Sequence, residues 1–442
     1  MVKIFAVAGK PIMHSMSPPM QNAGFRKLGL ECVYTRIAAP NAMEALNTAM
    51  QIGMSGINVT APFKEDILRL SDSADKTAKG MGASNTLLIE KGKTRAYNVD
   101  GEGVVRAFEK NGISIKGKNA VVLGAGGAAM AAAHALAAHG AKVTIANRTL
   151  SKAMLLAKKI GCGFCALEGE EFANALSNAQ IVVSTLSTAD RVIQPGLLGG
   201  QMALLDAVYA KKTALSTDAE KLGIKVIDGK QWLLWQGVAA FELFTKKHAP
   251  AKEMEEAIRG HLKNAKSGVA LVGFMGSGKT SVAQEIAKST GMEIIDTDAE
   301  IVRLKGMEIN EIFAKEGEAG FRKIEKEVIA GLAGRKNVLI SCGGGAILDP
   351  ANVGALDRNN YLVWLFASPG QTLKRLEKEK DRPLLNVKDR LGRIAGMLGE
   401  RMAKYASSAD VVIGTDNLAP EEIANLIMEE TGLAKKHGRK KG

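Results

Sequence analysis

A phosphate-binding loop at residues 273–280 is the feature that most constrains how this chain folds. The run Gly273-Phe274-Met275-Gly276-Ser277-Gly278-Lys279-Thr280 matches G-x-x-x-x-G-K-[ST] at every fixed position. The apolar residues 269–272 before it predict a strand, and residues 281–288 after it have helical character. A merely structural glycine turn would explain neither the Lys-Thr pair nor these flanking elements. The pattern therefore predicts a strand–loop–helix unit that holds nucleotide phosphates.

Each part of this loop has an expected task. Lys279 would reach the outer phosphates, and the Thr280 hydroxyl would ligate Mg²⁺. Backbone N–H groups and the helix N-terminus would hold the remaining phosphate oxygens. The predicted nucleotide-contacting residues are Gly276, Ser277, Gly278, Lys279, Thr280 and Ser281.

A different glycine cluster follows the apolar residues 120–123 and opens an alanine-rich helix to about residue 138. Its residues are Gly124, Ala125, Gly126, Gly127 and Ala128, the G-x-G-x-x-A form of the dinucleotide fingerprint. A second strand, residues 142–146, ends in Asn147, Arg148 and Thr149. No acid stands there to bind the ribose of NAD, whereas an arginine pairs with the 2′-phosphate of NADP. A dinucleotide fold that prefers NADP(H) is therefore predicted, with a capping Asn and a surface Arg as the alternative.

Composition narrows the classes of function. With 442 residues, the chain predicts two or three domains. Its four cysteines do not suggest a disulfide framework and fit a reducing cytoplasm. The net charge of +13 comes without a nucleic-acid fold signature, so small anionic substrates explain it more simply. Residues 120–138 lack charge but are too weakly apolar to enter a membrane. We expect a cytoplasmic protein without nucleic-acid or membrane partners; homo-oligomerisation is left open.

Short polar motifs before the dinucleotide unit are more typical of a substrate site than of a core. They are Ser15-Met16-Ser17-Pro18, Asn58-Val59-Thr60-Ala61-Pro62-Phe63-Lys64, Gly82-Ala83-Ser84-Asn85-Thr86 and Asn98-Val99-Asp100-Gly101. Later pieces are Asp206-x-x-Tyr209, Asp228-Gly229 and Gln236-Gly237. Together with the glycine cluster and the Asn-Arg-Thr run, these motifs make residues 4 to about 262 resemble shikimate dehydrogenase.

This resemblance implies NADPH-dependent reduction of 3-dehydroshikimate to shikimate. The residues that it assigns to the substrate are Ser15, Ser17, Thr60, Asn85, Tyr209 and Gln236. Gly229 joins the cofactor-binding residues, and Lys64 and Asp100 form the catalytic pair. A lysine kept charged by a carboxylate can protonate the alkoxide that forms when hydride adds to a ketone. Departures from the family pattern are Gln21, Val99, Trp232 and Ala210. They leave a quinate-accepting relative open.

The second half carries further motifs, whose polar and basic residues are expected to lie near the phosphate loop. They are Asp296-Thr297-Asp298, Phe321-Arg322-x-x-Glu325, Cys342-Gly343-Gly344-Gly345, Asp381-Arg382-Pro383 and Arg401-x-x-x-Tyr405. With that loop they resemble shikimate kinase over residues 269 to about 429. The resemblance implies phosphorylation of shikimate by ATP with Mg²⁺.

Roles in the second half follow from the kinase resemblance. The residues assigned to shikimate are Asp298, Arg322, Gly343, Gly344, Gly345 and Arg401. Asp298 would also orient the accepting hydroxyl, and Arg382 would reach the transferring phosphate from a lid. Asp296 and Thr280 would support Mg²⁺. Arg375 would lie near the adenine, although its charged surroundings also fit a solvated helix face.

Both halves together predict an α/β bifunctional enzyme of the shikimate pathway. Residues 1–265 would be the dehydrogenase, with a substrate-binding part (about 1–100 plus 237–265) and a Rossmann NADP part (about 101–236). Residues 266–442 would be a P-loop kinase with a parallel sheet and a basic C-terminal tail. Each half is expected to have its own sheet and to fold separately. The alternatives are a quinate/shikimate dehydrogenase fused to a small-molecule kinase, and a regulatory protein without activity. The regulatory protein would be expected to have lost Lys64, Asp100, Lys279 or Asp298, and all four are present.

Overall fold

The substrate-binding part of the first half is a mixed sheet flanked by helices. The computed structural model describes residues 2–199, 201–209, 211–260, 266–377 and 387–433. The strands of this part are β1 (Lys3–Gly9), β2 (Cys32–Ala38), β3 (Gly56–Val59), β4 (Ser73–Ala74), β5 (Thr86–Glu90) and β6 (Lys93–Tyr97). Its helices are α1 (Ser17–Lys27), α2 (Ala42–Ile52), α3 (Lys64–Leu70) and α4 (Lys76–Met81).

The dinucleotide part is a separate six-stranded parallel sheet. It is entered through α5 (Asp100–Lys110). Its strands are β7 (Asn119–Leu123), β8 (Lys142–Asn147), β9 (Gly163–Ala166), β10 (Ile181–Ser184), β11 (Ala203–Asp206) and β12 (Lys225–Asp228). Its helices are α6 (Gly127–Ala138), α7 (Leu150–Ile160), α8 (Glu170–Ser177) and α9 (Ala214–Lys221). The strand order β9-β8-β7-β10-β11-β12 is that of a Rossmann fold, which confirms the prediction for this part.

The chain returns from the dinucleotide part through α10 (Gly229–Thr245) and α11 (Ala251–Arg259). Glycine residues of α5 let this helix approach α6 and α10 closely. A Cβ on Gly101 of α5 would lie 2.8 Å from Ala135 Cβ of α6. A Cβ on Gly103 would lie 2.9 Å from the backbone N of Gln236 on α10. Glycine is therefore required where α5 packs between the two parts.

The second half is a P-loop domain. Its strands are β13 (Gly268–Val272), β14 (Glu293–Asp296), β15 (Val338–Ser341), β16 (Asn360–Phe366) and β17 (Val411–Gly414). Its helices are α12 (Lys279–Thr290), α13 (Thr297–Lys305), α14 (Ile309–Leu332), α15 (Pro350–Asp357), α16 (Pro369–Arg375), α17 (Arg390–Ser408) and α18 (Pro420–Thr431). All its strand pairs are parallel, as predicted.

One sheet runs through both halves of the chain. Its order is β14-β15-β13-β16-β17-β2-β1-β3-β5-β6-β4, so the last kinase strand lies beside the second strand of the dehydrogenase half. The parallel bridge between them pairs Val412 with Ile37. The expectation that each half has its own sheet is therefore wrong. Local sequence pattern predicts a strand but not which neighbour it pairs with.

The apolar core is also continuous across this junction. One face of the long sheet buries Ile4 and Ile37 together with Val412 and Trp364. The opposite face buries Phe5 and Phe241 from the first half with residues of β13 and α18. The dinucleotide sheet has separate clusters of its own. In the described part of the chain, no helix has the length and hydrophobicity that a membrane crossing requires.

Candidate active sites

Lys64 and Asp100 form an ion pair at the N-termini of two helices. Lys64 is the first residue of α3, Asp100 is the first residue of α5, and Lys64 Nζ lies 2.5 Å from Asp100 Oδ2. Only 9% of the Asp100 side chain is exposed, against 26% for Lys64. The ammonium therefore faces space that a ligand can enter, whereas the carboxylate behind it is buried.

The other contacts of Asp100 fix the position of its carboxylate. Asn85 Nδ2 donates to Asp100 Oδ1 at 2.8 Å, and the Asp100 backbone N–H donates to Asn98 Oδ1 at 3.1 Å. Trp232 Nε1 donates to the Asp100 carbonyl at 2.9 Å. Buried side chains that are bonded in this way have one orientation. The pair is thus preorganised before any ligand binds.

The predicted substrate-binding residues line one cavity together with this pair. The cavity measures about 250 Å³. The predicted residues in its wall are Ser15, Ser17, Thr60, Lys64, Asn85, Asp100, Tyr209 and Gln236, with Ala128 and Gly229 from the cofactor set. They come from both parts of the dehydrogenase half, so the cavity lies between those parts. The roles of the individual residues stay predictions.

A groove on the other side of the ion pair leads to the dinucleotide part. Lys64 and Asp100 line it, as do Ala125, Gly126 and Gly127. A Cβ on either of these glycines would meet no heavy atom within 4 Å, so the start of α6 is open to a ligand. Gly124 has φ +110°, and a Cβ there would lie 2.4 Å from Thr185 Oγ1. A pyrophosphate at this helix N-terminus therefore fits the residues present.

The end of β8 supplies the predicted NADP-selective residues. Asn147 Nδ2 donates to the Thr149 carbonyl at 2.9 Å, which closes a tight turn. Arg148 is exposed in this turn, and no hydrogen bond or ion pair joins its side chain to the described residues. Such a guanidinium is available to a 2′-phosphate.

Three departures from the family pattern lie in the substrate cavity: Gln21, Val99 and Trp232 all line its wall. Gln21 is fully buried and donates from Nε2 to the Gly237 carbonyl at 2.8 Å. Its Oε1 atom is buried without a hydrogen-bond partner among the described residues. Gln21 had no predicted role. A buried carbonyl oxygen in this wall would accept a substrate hydroxyl.

The phosphate loop of the second half has the expected shape. Gly273, Gly276 and Gly278 have φ values of +151°, +73° and +92°, which L side chains rarely adopt. Lys279 begins α12, and its Nζ donates to the Gly273 and Phe274 carbonyls at 2.9 and 3.0 Å. Of the predicted loop residues, Gly276, Gly278, Lys279, Thr280 and Ser281 line one cavity of about 400 Å³ with Asp296 and Asp298. Ser277 is fully buried and does not line this cavity.

Oxygen donors for a cation lie in the same cavity. Asp296 ends β14, and its Oδ1 accepts from the Asp298 and Ala299 backbone N–H groups at 3.0 and 3.2 Å. This cap fixes the carboxylate in the cavity that Thr280 also lines. A hydroxyl and a carboxylate are oxygen ligands that Mg²⁺ takes alongside nucleotide phosphates. The residues present therefore fit the ion.

A second cavity, of about 530 Å³, adjoins the first. The residues that line both are Met275, Asp298, Gly343 and Gly344. Two close approaches explain the glycines: a Cβ on Gly343 would lie 2.7 Å from Asp298 Oδ1, and one on Gly345 would lie 2.3 Å from Arg322 Nη1. Asp298 thus lies where the two cavities meet.

Two arginines from different helices face the second cavity. Arg322 of α14 donates from Nη1 to Glu325 Oε2 at 2.7 Å, and Arg401 of α17 lies 3.4 Å from the Gly344 carbonyl. Burial raises the pKa of Glu325, an effect that Arg322 opposes. Tyr405 donates to the Gly344 carbonyl at 2.6 Å. Glu325 and Tyr405 had no predicted role, although their spacing from the two arginines (i+3 and i+4) was a usable signal.

The structure tests the predicted position of Arg375 but not that of Arg382. Arg375 Nη1 donates to the Gly276 carbonyl at 3.0 Å and to Thr415 Oγ1 at 2.9 Å. It is therefore part of the nucleotide cavity and not a solvated helix face. Arg382 lies outside the described residues, so its lid role stays a prediction.

Comparison with known proteins assigns the first half of the chain to a protein family. The models that match are the shikimate dehydrogenase substrate binding domain (residues 7–87), shikimate / quinate 5-dehydrogenase (residues 106–203) and the shikimate 5′-dehydrogenase C-terminal domain (residues 233–259). The shikimate dehydrogenase (NADP⁺) of Natronomonas pharaonis is 41% identical over 272 residues, which cover 59% of this chain and 99% of the relative. The chain belongs to the shikimate dehydrogenase family.

Solved structures agree with this family assignment. The Thermus thermophilus shikimate 5-dehydrogenase, solved with NADP(H) and shikimate, is 33% identical with a TM-score of 0.54. It covers 58% of this chain, and the match includes 98% of its own length. The quinate dehydrogenase of Corynebacterium glutamicum, solved with NAD, is 27% identical with a TM-score of 0.55. That match covers 59% of this chain and 99% of the quinate enzyme.

The second half matches another model, that of shikimate kinase, over residues 275–431. The chain therefore joins a shikimate dehydrogenase of the NADP type to a shikimate kinase, and it is a bifunctional enzyme of the shikimate pathway. NADP and ATP are the nucleotides of the two families. In the first half, the substrate cavity and the dinucleotide groove meet at Lys64 and Asp100.

Proposed function

We propose that this chain catalyses two consecutive reactions. The first is reduction of 3-dehydroshikimate to shikimate by NADPH, and the second is phosphorylation of shikimate to shikimate 3-phosphate by ATP with Mg²⁺. The hydroxyl that the first reaction creates is the acceptor of the second. The observation that carries the proposal is the Lys64–Asp100 pair, which lies on both the substrate cavity and the dinucleotide groove.

In the reduction, NADPH supplies a hydride to the ketone carbon. The Lys64 ammonium, held at 2.5 Å by Asp100, stabilises the developing alkoxide and gives it a proton. Asn85 orients Asp100 and lies in the same cavity wall. Ser15 and Ser17 line the same cavity as the lysine and bind the substrate carboxylate.

In the phosphorylation, Asp298 orients the accepting hydroxyl at the point where the two kinase cavities meet. Arg322 and Arg401 bind the carboxylate, and Lys279 compensates the charge on the transferring phosphate. Thr280 and Asp296 hold Mg²⁺. The proposal includes a cytoplasmic location, which the four unpaired cysteines support.

A coupled assay tests both steps. The full-length protein receives 3-dehydroshikimate, NADPH and ATP-Mg, while absorbance follows NADPH and mass spectrometry follows the products. We expect shikimate to appear first and then its 3-phosphate. Lys279→Ala should stop the two-step reaction at shikimate. Absence of NADPH oxidation, or phosphorylation of another hydroxyl, would refute the corresponding step.

A second candidate is a quinate-accepting dehydrogenase joined to a small-molecule kinase. It is favoured by Val99 and Trp232, which line the substrate cavity where the family usually has Thr and Met. It is tested by comparing kcat/KM for shikimate with NADP⁺ against kcat/KM for quinate with NAD⁺. A higher value for quinate would replace the first proposal.

A further inference from the structure

A tight turn positions Ser15, one of the predicted substrate-binding residues of the dehydrogenase. The Ser15 backbone N–H donates to the Ile12 carbonyl at 2.9 Å, which closes the turn. Ser15 Oγ then accepts from the Ser17 backbone N–H at 3.3 Å. The position of both hydroxyls in the cavity therefore depends on how residues 12–15 are held.

A carboxylate of the kinase half binds the start of this turn. Glu430, near the end of α18, accepts the Ile12 N–H at 3.0 Å through Oε1 and at 2.8 Å through Oε2. Its Oε2 also accepts the Met13 N–H at 2.9 Å. Glu430 is only 8% exposed. A buried carboxylate is costly unless it is bonded, and these two amides satisfy it.

The end of the turn is held through a buried arginine. Arg36 Nη2 donates to the Ser15 carbonyl at 2.8 Å, and Arg36 Nη1 donates to the Asp410 carbonyl at 3.1 Å. Arg36 lies on β2 of the dehydrogenase half, and Asp410 directly precedes β17 of the kinase half. Both ends of the turn are thus bonded to the kinase half, one directly and one through a single side chain.

The catalytic pair has separate supports. Lys64 and Asp100 are held by Asn85, Asn98 and Trp232, all within the dehydrogenase half. None of the hydrogen bonds found among the described residues joins Glu430 to that group. A change at Glu430 is therefore expected to move the substrate-binding serines and to leave the proton donor in place.

We propose that Glu430 of the kinase half is a positioning residue of the dehydrogenase, because it holds the turn that presents Ser15 and Ser17 to the substrate. The kinase half then completes the substrate site of its neighbour. This inference rests on the proposed dehydrogenase function. It implies that the two activities are joined structurally.

Full-length Glu430→Ala and Glu430→Gln test this role by their effects on KM and kcat. Glu430→Ala should raise the dehydrogenase KM for shikimate about tenfold or more, since charge-assisted hydrogen bonds are lost, and should change kcat less than about threefold. Kinase KM and kcat should stay at wild-type values. Glu430→Gln should recover part of the loss because its amide oxygen still accepts an N–H. Glu429→Ala, on the exposed neighbour in the same helix, should match the wild type.

The outcomes separate this role from a general structural one. An unchanged dehydrogenase KM in Glu430→Ala would overturn the inference. An equal loss of both activities would also overturn it, because a role in overall stability predicts that result; Glu430→Gln, which keeps the side-chain shape, repeats the measurement if Glu430→Ala is insoluble. A wild-type protein without dehydrogenase activity would instead overturn the proposed function itself, before any variant is compared.

Discussion

The chain has two junctions between its parts, and they are built in opposite ways. The substrate-binding and dinucleotide parts of the dehydrogenase keep separate sheets, joined through α5 and α10, with the substrate cavity between them. The dehydrogenase and kinase halves share one sheet and one core. Parts joined through a cavity are able to move relative to each other, whereas parts joined through a large apolar interface are not. We therefore expect closure over ligands at the first junction and a fixed arrangement at the second.

The largest expected effect is at the first junction. Lys64→Ala removes the proposed proton donor and should lower dehydrogenase kcat by roughly 10²–10⁴. NADPH affinity and the kinase rate should be preserved, because the remaining groove and the P-loop are untouched. Lys79→Ala, an exposed lysine on the nearby α4, is the control. A near-normal kcat in Lys64→Ala would show that the ion pair is only structural.

Separating the halves tests the second junction. A fragment of residues 1–265 loses Glu430 and uncovers the edge of β2. We expect its dehydrogenase activity to be lost at a temperature at least about 5 °C lower than in the full chain. Its substrate KM should rise as in Glu430→Ala, and addition of residues 266–442 should partly reverse both effects. If the fragment matches the full chain in both measurements, the shared sheet does not contribute to the stability or the substrate binding of the dehydrogenase.

Arg148→Ala addresses the dinucleotide side of the first junction. The charge-assisted hydrogen bond predicted between Arg148 and the 2′-phosphate would contribute about 1.5–3 kcal/mol. The variant should bind NADP roughly ten- to a hundredfold more weakly, with NAD little changed. Fluorescence titration of both dinucleotides measures this, and Lys158→Ala on α7 is the control. Equal use of NAD and NADP by the wild type would contradict the assignment.

The smallest effect is expected at the surface of the second junction. Lys10 Nζ and Glu429 Oε2 lie 3.3 Å apart, with 33% and 49% of their side chains exposed. Exposed ion pairs contribute about 0–1 kcal/mol. Lys10→Ala should therefore shift Tm by no more than about 2 °C. A larger shift would mean that the rim of the junction, and not its buried centre, carries its stability.

Sequence predicted the local elements and the contact between Lys64 and Asp100 well. The two glycine loops each follow a strand and open a helix, because backbone geometry at those residues depends on neighbours a few positions away. Lys64 and Asp100 meet as the resemblance implied. The shared sheet was missed because Ile37 and Val412 are apolar strand residues that fit many neighbours. Glu430 follows Glu429 in an amphipathic helix, and nothing in that pattern distinguishes a buried carboxylate from an exposed one.

The pairing of β17 with β2 also has a consequence for synthesis. Val412 leaves the ribosome about 375 residues after Ile37, its partner in the bridge. At about 5–20 residues per second, β2 waits roughly 20–75 s for its neighbour. During that interval its unpaired backbone groups are a template for association with other nascent chains. The enzyme is thus most prone to association with other chains during translation, when its first domain has emerged and its last strand has not.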